Sequence, residues 1–235
     1  MKVEIYSDVV CPWCYIGERR FQRALAAYPG AGSVEVVYRA YQLDPGAPEE
    51  AVPVREYLRK RFGRPVDEML RRVTENARGE GIEIDWDRAL SVNTLTAHRL
   101  LRLAEREYGP AVQRALVEKL FASHFSLGGD VSDPELLAGL AESVGMDGAR
   151  VRAYLASGEG LEETRAEIDR ARDLGITAVP TFVFEGRWAV QGAQPASTFL
   201  QALEEVASQV AAEGSAGGSV RDDAGDACAD GSCAL

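Results

Sequence analysis

The chain has 235 residues, 46% of them hydrophobic and 27% charged, enough apolar material for one sizeable core or a core with a large insertion. Its net charge of −11 excludes nucleic acid as an expected partner, because an acidic surface repels phosphate. Glu4 and Asp8 break the N-terminal stretch before a signal peptide could form, and no run of about 18 apolar residues occurs anywhere. No membrane partner is expected, and the expected location is the reducing cytoplasm. Cysteines there serve catalysis, redox sensing or metal binding more often than structure.

Lys2–Tyr6 alternates polar and apolar residues and predicts a short strand. Cys11-Pro12-Trp13-Cys14 follows, then Ile16, Phe21, Leu25 and Tyr28 recur at helical spacing up to Pro29-Gly30. Val34–Tyr41, rich in β-branched and aromatic residues, predicts a second strand. Residues 45–160 read as helical throughout. Pro53, Pro65 and Pro134 suit first-turn positions, Asp133 an N-cap and Gly145 a C-terminal stop. Asn93–Tyr108 is amphipathic, with Asn93 as a capping residue. Another helix runs from Leu161 to a stop at Gly175. Thr181–Phe184, a Glu185-Gly186 turn and Trp188–Val190 predict a hairpin, and a last helix spans about 195–212. From Glu213 the composition turns to Gly, Ala, Ser and Asp, which predicts a disordered tail.

A Cys-x-x-Cys pair at a strand-to-helix junction can close a small redox-active disulfide. Unpaired N–H groups and the helix dipole favour a thiolate at the first position, so Cys11 is the expected nucleophile, facing outward, and Cys14 the more buried resolving thiol. Half of a zinc site is the competing reading. It needs two more ligands, which only Cys228 and Cys233 could supply, and neither metal nor cofactor is expected. Those two form a C-x4-C pair around a turn-forming Asp230-Gly231, and a flexible tail from Ala212 to Cys228 would span roughly 20–24 Å. They are a candidate second redox centre exchanging with the first, against the blander reading of incidental cysteines on a tail. Pro180, just before a strand, is expected to be trans on periodicity alone.

Ser7-Asp8-Val9-Val10-Cys11-Pro12-Trp13-Cys14-Tyr15-Ile16-Gly17, Val179-Pro180-Thr181-Phe182, Gln191-Gly192-Ala193-Gln194 and Asn93-Thr94…Ala97-His98-Arg99-Leu100 together resemble the DsbA family of thioredoxin-fold oxidoreductases, most closely its FrnE-type branch. The resemblance covers residues 1 to about 210. It implies an α/β thioredoxin fold, β-α-β then α-β-β-α. In that fold, 1–44 and 161–212 form the thioredoxin-like domain, 45–160 an inserted helical domain and 213–235 the tail. It also implies that Pro180 is cis against the Cys11–Cys14 pair, that the backbone of Val179 binds an extended substrate, and that Pro12 and Trp13 contact it. Trp13 could instead be an exposed helix-start aromatic.

Family oxidants carry a histidine between the cysteines. Pro12-Trp13 lacks that cation and adds an apolar wall, so a weaker oxidant suited to reduction or isomerisation is expected. Its partners would be protein or small-molecule disulfides, with a cellular dithiol or glutathione as reductant. The alternative is a glutathione-dependent isomerase or transferase of the 2-hydroxychromene-2-carboxylate isomerase or kappa-class kind. The family relatives of that kind hold glutathione with a serine where this chain has Cys11. A chaperone using Trp13 and Val179-Pro180 is a third, non-enzymatic reading. His98 reads as a buried, satisfied histidine that the family segment places near the site. His124 carries no assignment, and Asp8 is either a turn residue or a proton-transfer partner of Cys14.

Overall fold

The structure, a computed structural model, describes residues 1–63 and 66–217, the last four of these as helical backbone only. Pro65, Cys228 and Cys233 lie outside the described residues.

Strand β1 (Lys2–Ser7) leads into helix α1 (Pro12–Ala27), and β2 (Glu35–Ala40) returns parallel to β1, with Val3 opposite Val36 and Ile5 opposite Tyr38. A parallel return needs a crossover, and α1 is that crossover. Later β5 (Thr181–Phe184) pairs antiparallel with β1, and β6 (Trp188–Gln191) with β5, giving one sheet in the order β2-β1-β5-β6. The β5–β6 turn places Glu185 and Gly186 at φ 50° and 65°, the paired left-handed conformation of a tight hairpin turn. Helix α9 (Ala196–Gly217) lies beside α1 on one face, where Phe21, Phe182 and Phe199 meet with ring centroids 4.4–5.6 Å apart.

Between β2 and β5 come β3 (Val52–Pro53), α2 (Val54–Phe62), α3 (Val66–Gly79), β4 (Leu90–Ser91), α4 (Leu95–Tyr108), α5 (Pro110–Ala122), a π-helical turn (Ser123–Leu127), α6 (Pro134–Glu142), α7 (Gly148–Ala156) and α8 (Leu161–Asp173). The segment is therefore not helical throughout. β3 and β4 pair antiparallel, and Pro53 is the last residue before α2 rather than part of its first turn. A two-strand ribbon tolerates a proline because its outer edge needs no N–H donor. Asp133 caps α6 as expected, accepting from Glu135 N at 2.9 Å.

The free edge of β2 is closed by side chains. Gln113 accepts from Tyr38 N and donates to Tyr38 O, both at 2.9 Å, and Glu167 accepts from Ala40 N at 2.7 Å. These bonds occupy backbone groups that would otherwise recruit another strand. Tyr15 of α1 stacks on Phe121 and Phe125, with centroids 5.0 and 6.2 Å away, so a single apolar core runs from the sheet into the helical segment.

At the C-terminal end, α9 continues past Ala212 to Gly217, so the disordered tail expected from Glu213 begins too early. Ala211-Ala212-Glu213 keeps good helix formers at the helix end, and Arg187 donates to both carboxylate oxygens of Glu213 at 2.7 and 2.9 Å.

Candidate active site

Cys11 is the N-cap of α1, in extended conformation (φ −92°, ψ 110°), with Pro12 as the first helical residue. Proline suits that position because its missing N–H would have no intrahelical partner. Cys11 N donates to Asp8 O at 3.0 Å, and Cys14 N and Tyr15 N donate to Cys11 O, so the motif is one tight turn entering a helix. Both cysteines are free thiols.

Cys11 does not face outward. It is 3% exposed and Cys14 2%, because the helical segment closes over the motif. Cys11 Sγ lies 3.8 Å from the carbonyl oxygen of Val179, and the Val179–Pro180 peptide is cis. The trans expectation from periodicity alone is thereby corrected. Gly17, one turn beyond Cys14, makes this approach possible. A Cβ there would meet Pro180 Cγ at 2.9 Å, so any side chain would push the Pro180 loop away from α1.

Burial first, then the hydrogen bond and charge of Cys11, push the Cys14 thiol well above its ordinary pKa; the backbone of Asp8 and the hydroxyl of Ser7 oppose the shift. Cys14 is accordingly held as a protonated thiol beneath Cys11. Asp8 is itself 1% exposed. One of its carboxylate oxygens accepts from Leu43 N at 2.8 Å and the other is 3.3 Å from His98 Nε2. Asp8 thus ties the β1–α1 junction to α4 and to the stretch after β2. His98 is buried and partnered, and the partner is a residue of this junction.

A cavity of about 350 Å³ opens over Cys11. Val10, Cys11, Pro12, Trp13 and Val179 form one side of it. Leu43, Val54, Leu58, Phe62, Met69 and Trp86 are among those forming the other. Trp13 is half-buried there and packs on the core. His124, which the sequence left without assignment, also lines this cavity. Burial pushes its imidazole down to about 4, against the backbone of Gly129 and the charges of Asp8 and Asp130, so it is neutral at pH 7, and its Nδ1 has no protein hydrogen-bond partner. A π-helical turn carries it, a local departure that no periodicity rule reads from sequence.

No group of three or more potential metal ligands occurs among the described residues, and no helix there is long and apolar enough to cross a membrane.

Residues 2–204 match the DSBA-like thioredoxin domain. The chain belongs to the DsbA family. This DsbA-family chain is 37% identical to the probable DsbA oxidoreductase SCO1869 of Streptomyces coelicolor, with a TM-score of 0.80 over 87% of this chain and 89% of that one. Two more distant structures share its fold. The cytosolic disulfide reductase DsbM of Pseudomonas aeruginosa, solved with glutathione, has 20% identity and a TM-score of 0.63 over 87% of this chain and 98% of its own. A 2-hydroxychromene-2-carboxylate isomerase has 18% identity and a TM-score of 0.63 over 93% of this chain and 100% of its own. These two likenesses show a shared fold, and the chemistry of this DsbA-family chain rests on its site.

Proposed function

We propose that the protein is a cytoplasmic thiol–disulfide oxidoreductase of the FrnE-type branch that reduces or isomerises disulfides. Cys11 attacks, Cys14 resolves, Pro180 packs beside the pair, and Pro12, Trp13 and the Val179 backbone contact the substrate. The observation that carries this reading is the free Cys11–Cys14 pair at the start of α1, with Cys11 Sγ 3.8 Å from Val179 O on the floor of a cavity. An extended substrate reaching Cys11 finds a backbone acceptor at bonding range, as in strand addition.

Direction follows from what surrounds the pair. A strong oxidant stabilises its reduced form through a favoured thiolate, commonly beside a cation. Here the neighbours are Pro12, Trp13 and a neutral His124, which supports a weaker oxidant. A cellular dithiol or glutathione would return the pair to the dithiol, and Cys228–Cys233 would act as a second redox centre.

The isomerase reading shares the fold but has no use for a resolving thiol, and Cys14 beneath Cys11 favours exchange. Insulin reduction by the full chain tests the choice. Cys11→Ser is expected to lower the rate by roughly 10²-fold or more, as loss of a nucleophile does. A Cys11→Ser protein that reduces insulin normally, or that retains isomerase activity on an aromatic substrate, overturns the redox reading.

A further inference from the structure

We propose that Ser7, His98 and Asp8 form a proton outlet for Cys14, which carries the Cys14 proton away as this thiol resolves a mixed disulfide at Cys11. This rests on the thiol–disulfide reading above and assigns residues to its second step.

The need for an outlet follows from burial. A thiol attacks as its thiolate, and Cys14 is buried beneath Cys11, which carries the substrate at the moment of attack. The proton must therefore leave through the protein. The hydroxyl of Ser7 and the backbone of Asp8 hydrogen-bond the Cys14 sulfur, and both favour its thiolate. Of these two groups the hydroxyl alone can take up one proton while passing on another, because it is donor and acceptor at once.

From Ser7 the path continues inward and then out. Ser7 and His98 border one small space of about 10 Å³, room for about one water molecule. The buried His98 places Nε2 3.3 Å from Asp8 Oδ1. A neutral imidazole that gives its Nε2 proton to a carboxylate keeps Nδ1 as an acceptor, so it can gain a proton on one nitrogen and release one from the other. Asp8 is held in place by Leu43 N, and it also borders the cavity over Cys11, where a proton reaches solvent. The chain has two histidines, and the second, His124, also lies within the field of Asp8. The other ionisable groups around the small space are occupied. Arg102 pairs with Glu167 at 3.1 Å, Arg39 pairs with Glu4 and Glu105 at 2.9 and 2.8 Å, and burial keeps the Tyr38 hydroxyl protonated.

The resolving step balances as follows. Cys14 Sγ forms a bond to Cys11 Sγ as the bond between Cys11 and the substrate sulfur breaks, and that sulfur leaves with the electron pair. The Cys14 proton passes to the Ser7 oxygen while the Ser7 hydroxyl proton moves on to His98. His98 releases its Nε2 proton to Asp8, and Asp8 releases one to water at the cavity, where the departing substrate thiolate takes up a proton. The protein dithiol ends as a disulfide, and the substrate, now a thiol, holds the two electrons.

The test separates the two steps in the reduced full chain mixed with 2-hydroxyethyl disulfide, followed by acid quench and peptide mapping. Formation of the Cys11 adduct reports the first step, and its decay to the Cys11–Cys14 disulfide reports the second. Ser7→Ala and His98→Gln are expected to lower the ratio of decay rate to formation rate by about tenfold or more near about pH 6.5, as loss of an acid–base group does. Ser7→Thr, which keeps the hydroxyl, is expected to preserve the ratio. In the two deficient variants decay should climb in step with hydroxide, so that the deficit closes toward about pH 9, a change that loosened packing would not produce. Should Ser7→Ala fail to fold, His98→Gln on α4 carries the same test. A ratio unchanged in His98→Gln, a deficit constant with pH, or Ser7→Thr as slow as Ser7→Ala overturns the outlet and leaves the redox reading standing. If no adduct forms at Cys11 in the unaltered chain, the redox reading itself falls, and the outlet with it.

Discussion

The two sides of the cavity over Cys11 are assembled differently. One side comes from a strand-to-helix turn and the loop entering β5, so that five of its residues, Val10 to Trp13 and Val179, derive from two short stretches. The opposite side is gathered from the stretch after β2, from α2, α3, β4 and the π-helical turn, spread over residues 43–125. The first side carries Cys11, and the second carries no cysteine. On the proposed reading, bond exchange is encoded locally, and access to it is encoded by packing across long sequence separations.

On the proposed redox reading, the sharpest way to break this comparison is at Cys14. Cys14→Ser keeps the nucleophile and removes the resolver, so turnover of a peptide disulfide is expected to fall by roughly 10²-fold or more. The protein should accumulate as a covalent Cys11–peptide adduct, seen by intact mass. Continued turnover without the adduct would mean that the resolving thiol comes from elsewhere.

A smaller effect separates the two sides by pH. Two buried ionisable groups, one on α1 and one on the helical segment, are shifted in opposite senses. Glu18, on α1, is pushed by burial from 4.5 up to about 7, against the nearby Tyr38 hydroxyl and a hydrogen bond donated by Gln22 at 2.8 Å. His124, on the helical segment, is pushed by burial from 6.5 down to about 4. Glu18 favours the folded state while protonated, and that stability is lost as pH rises from 4.5 through about 7. Neutral His124 favours the folded state at high pH, and that stability is lost as pH falls from 6.5 through about 4. Each is worth roughly 3 kcal/mol over its full range. Between pH 4.5 and 6.5 the two slopes oppose each other and largely cancel. In urea unfolding, Glu18→Gln is therefore expected to expose the His124 slope, with stability climbing as pH rises through that window. Its advantage over the unaltered protein should grow up to about pH 7 and level off above it. Stability curves that stay parallel from pH 4 to 8 would remove Glu18 from the account.

The same division governs what the sequence reveals. Cys11, Cys14 and the start of α1 follow from spacing and from Pro12, because helix entry is a local event. The β5–β6 hairpin follows from Glu185-Gly186 between apolar alternations. The cis geometry at Pro180 comes through the family resemblance and not through periodicity. Three features escape local reading for physical reasons. The burial of Cys11 depends on how far the helical segment closes over it. The exposure of Leu43, Phe62 and Met69 depends on which faces of α2 and α3 lack a neighbour, and hydrophobicity alone marks them as core. The shift at His124 arises from desolvation by residues distant in sequence, and only the resulting fold supplies them. Asp8 lies between these cases: it belongs to the motif, yet its partners Leu43 N and His98 are set by the fold.

The most direct test of the central claim is the reduction potential of Cys11–Cys14 in the full chain, taken by equilibration in glutathione buffers with mass mapping of the oxidised pair. The account predicts a two-electron transition confined to these two cysteines at a potential clearly more negative than about −120 mV, the value of a strong family oxidant. A potential at that value, or no disulfide between Cys11 and Cys14 at any poise, would contradict it.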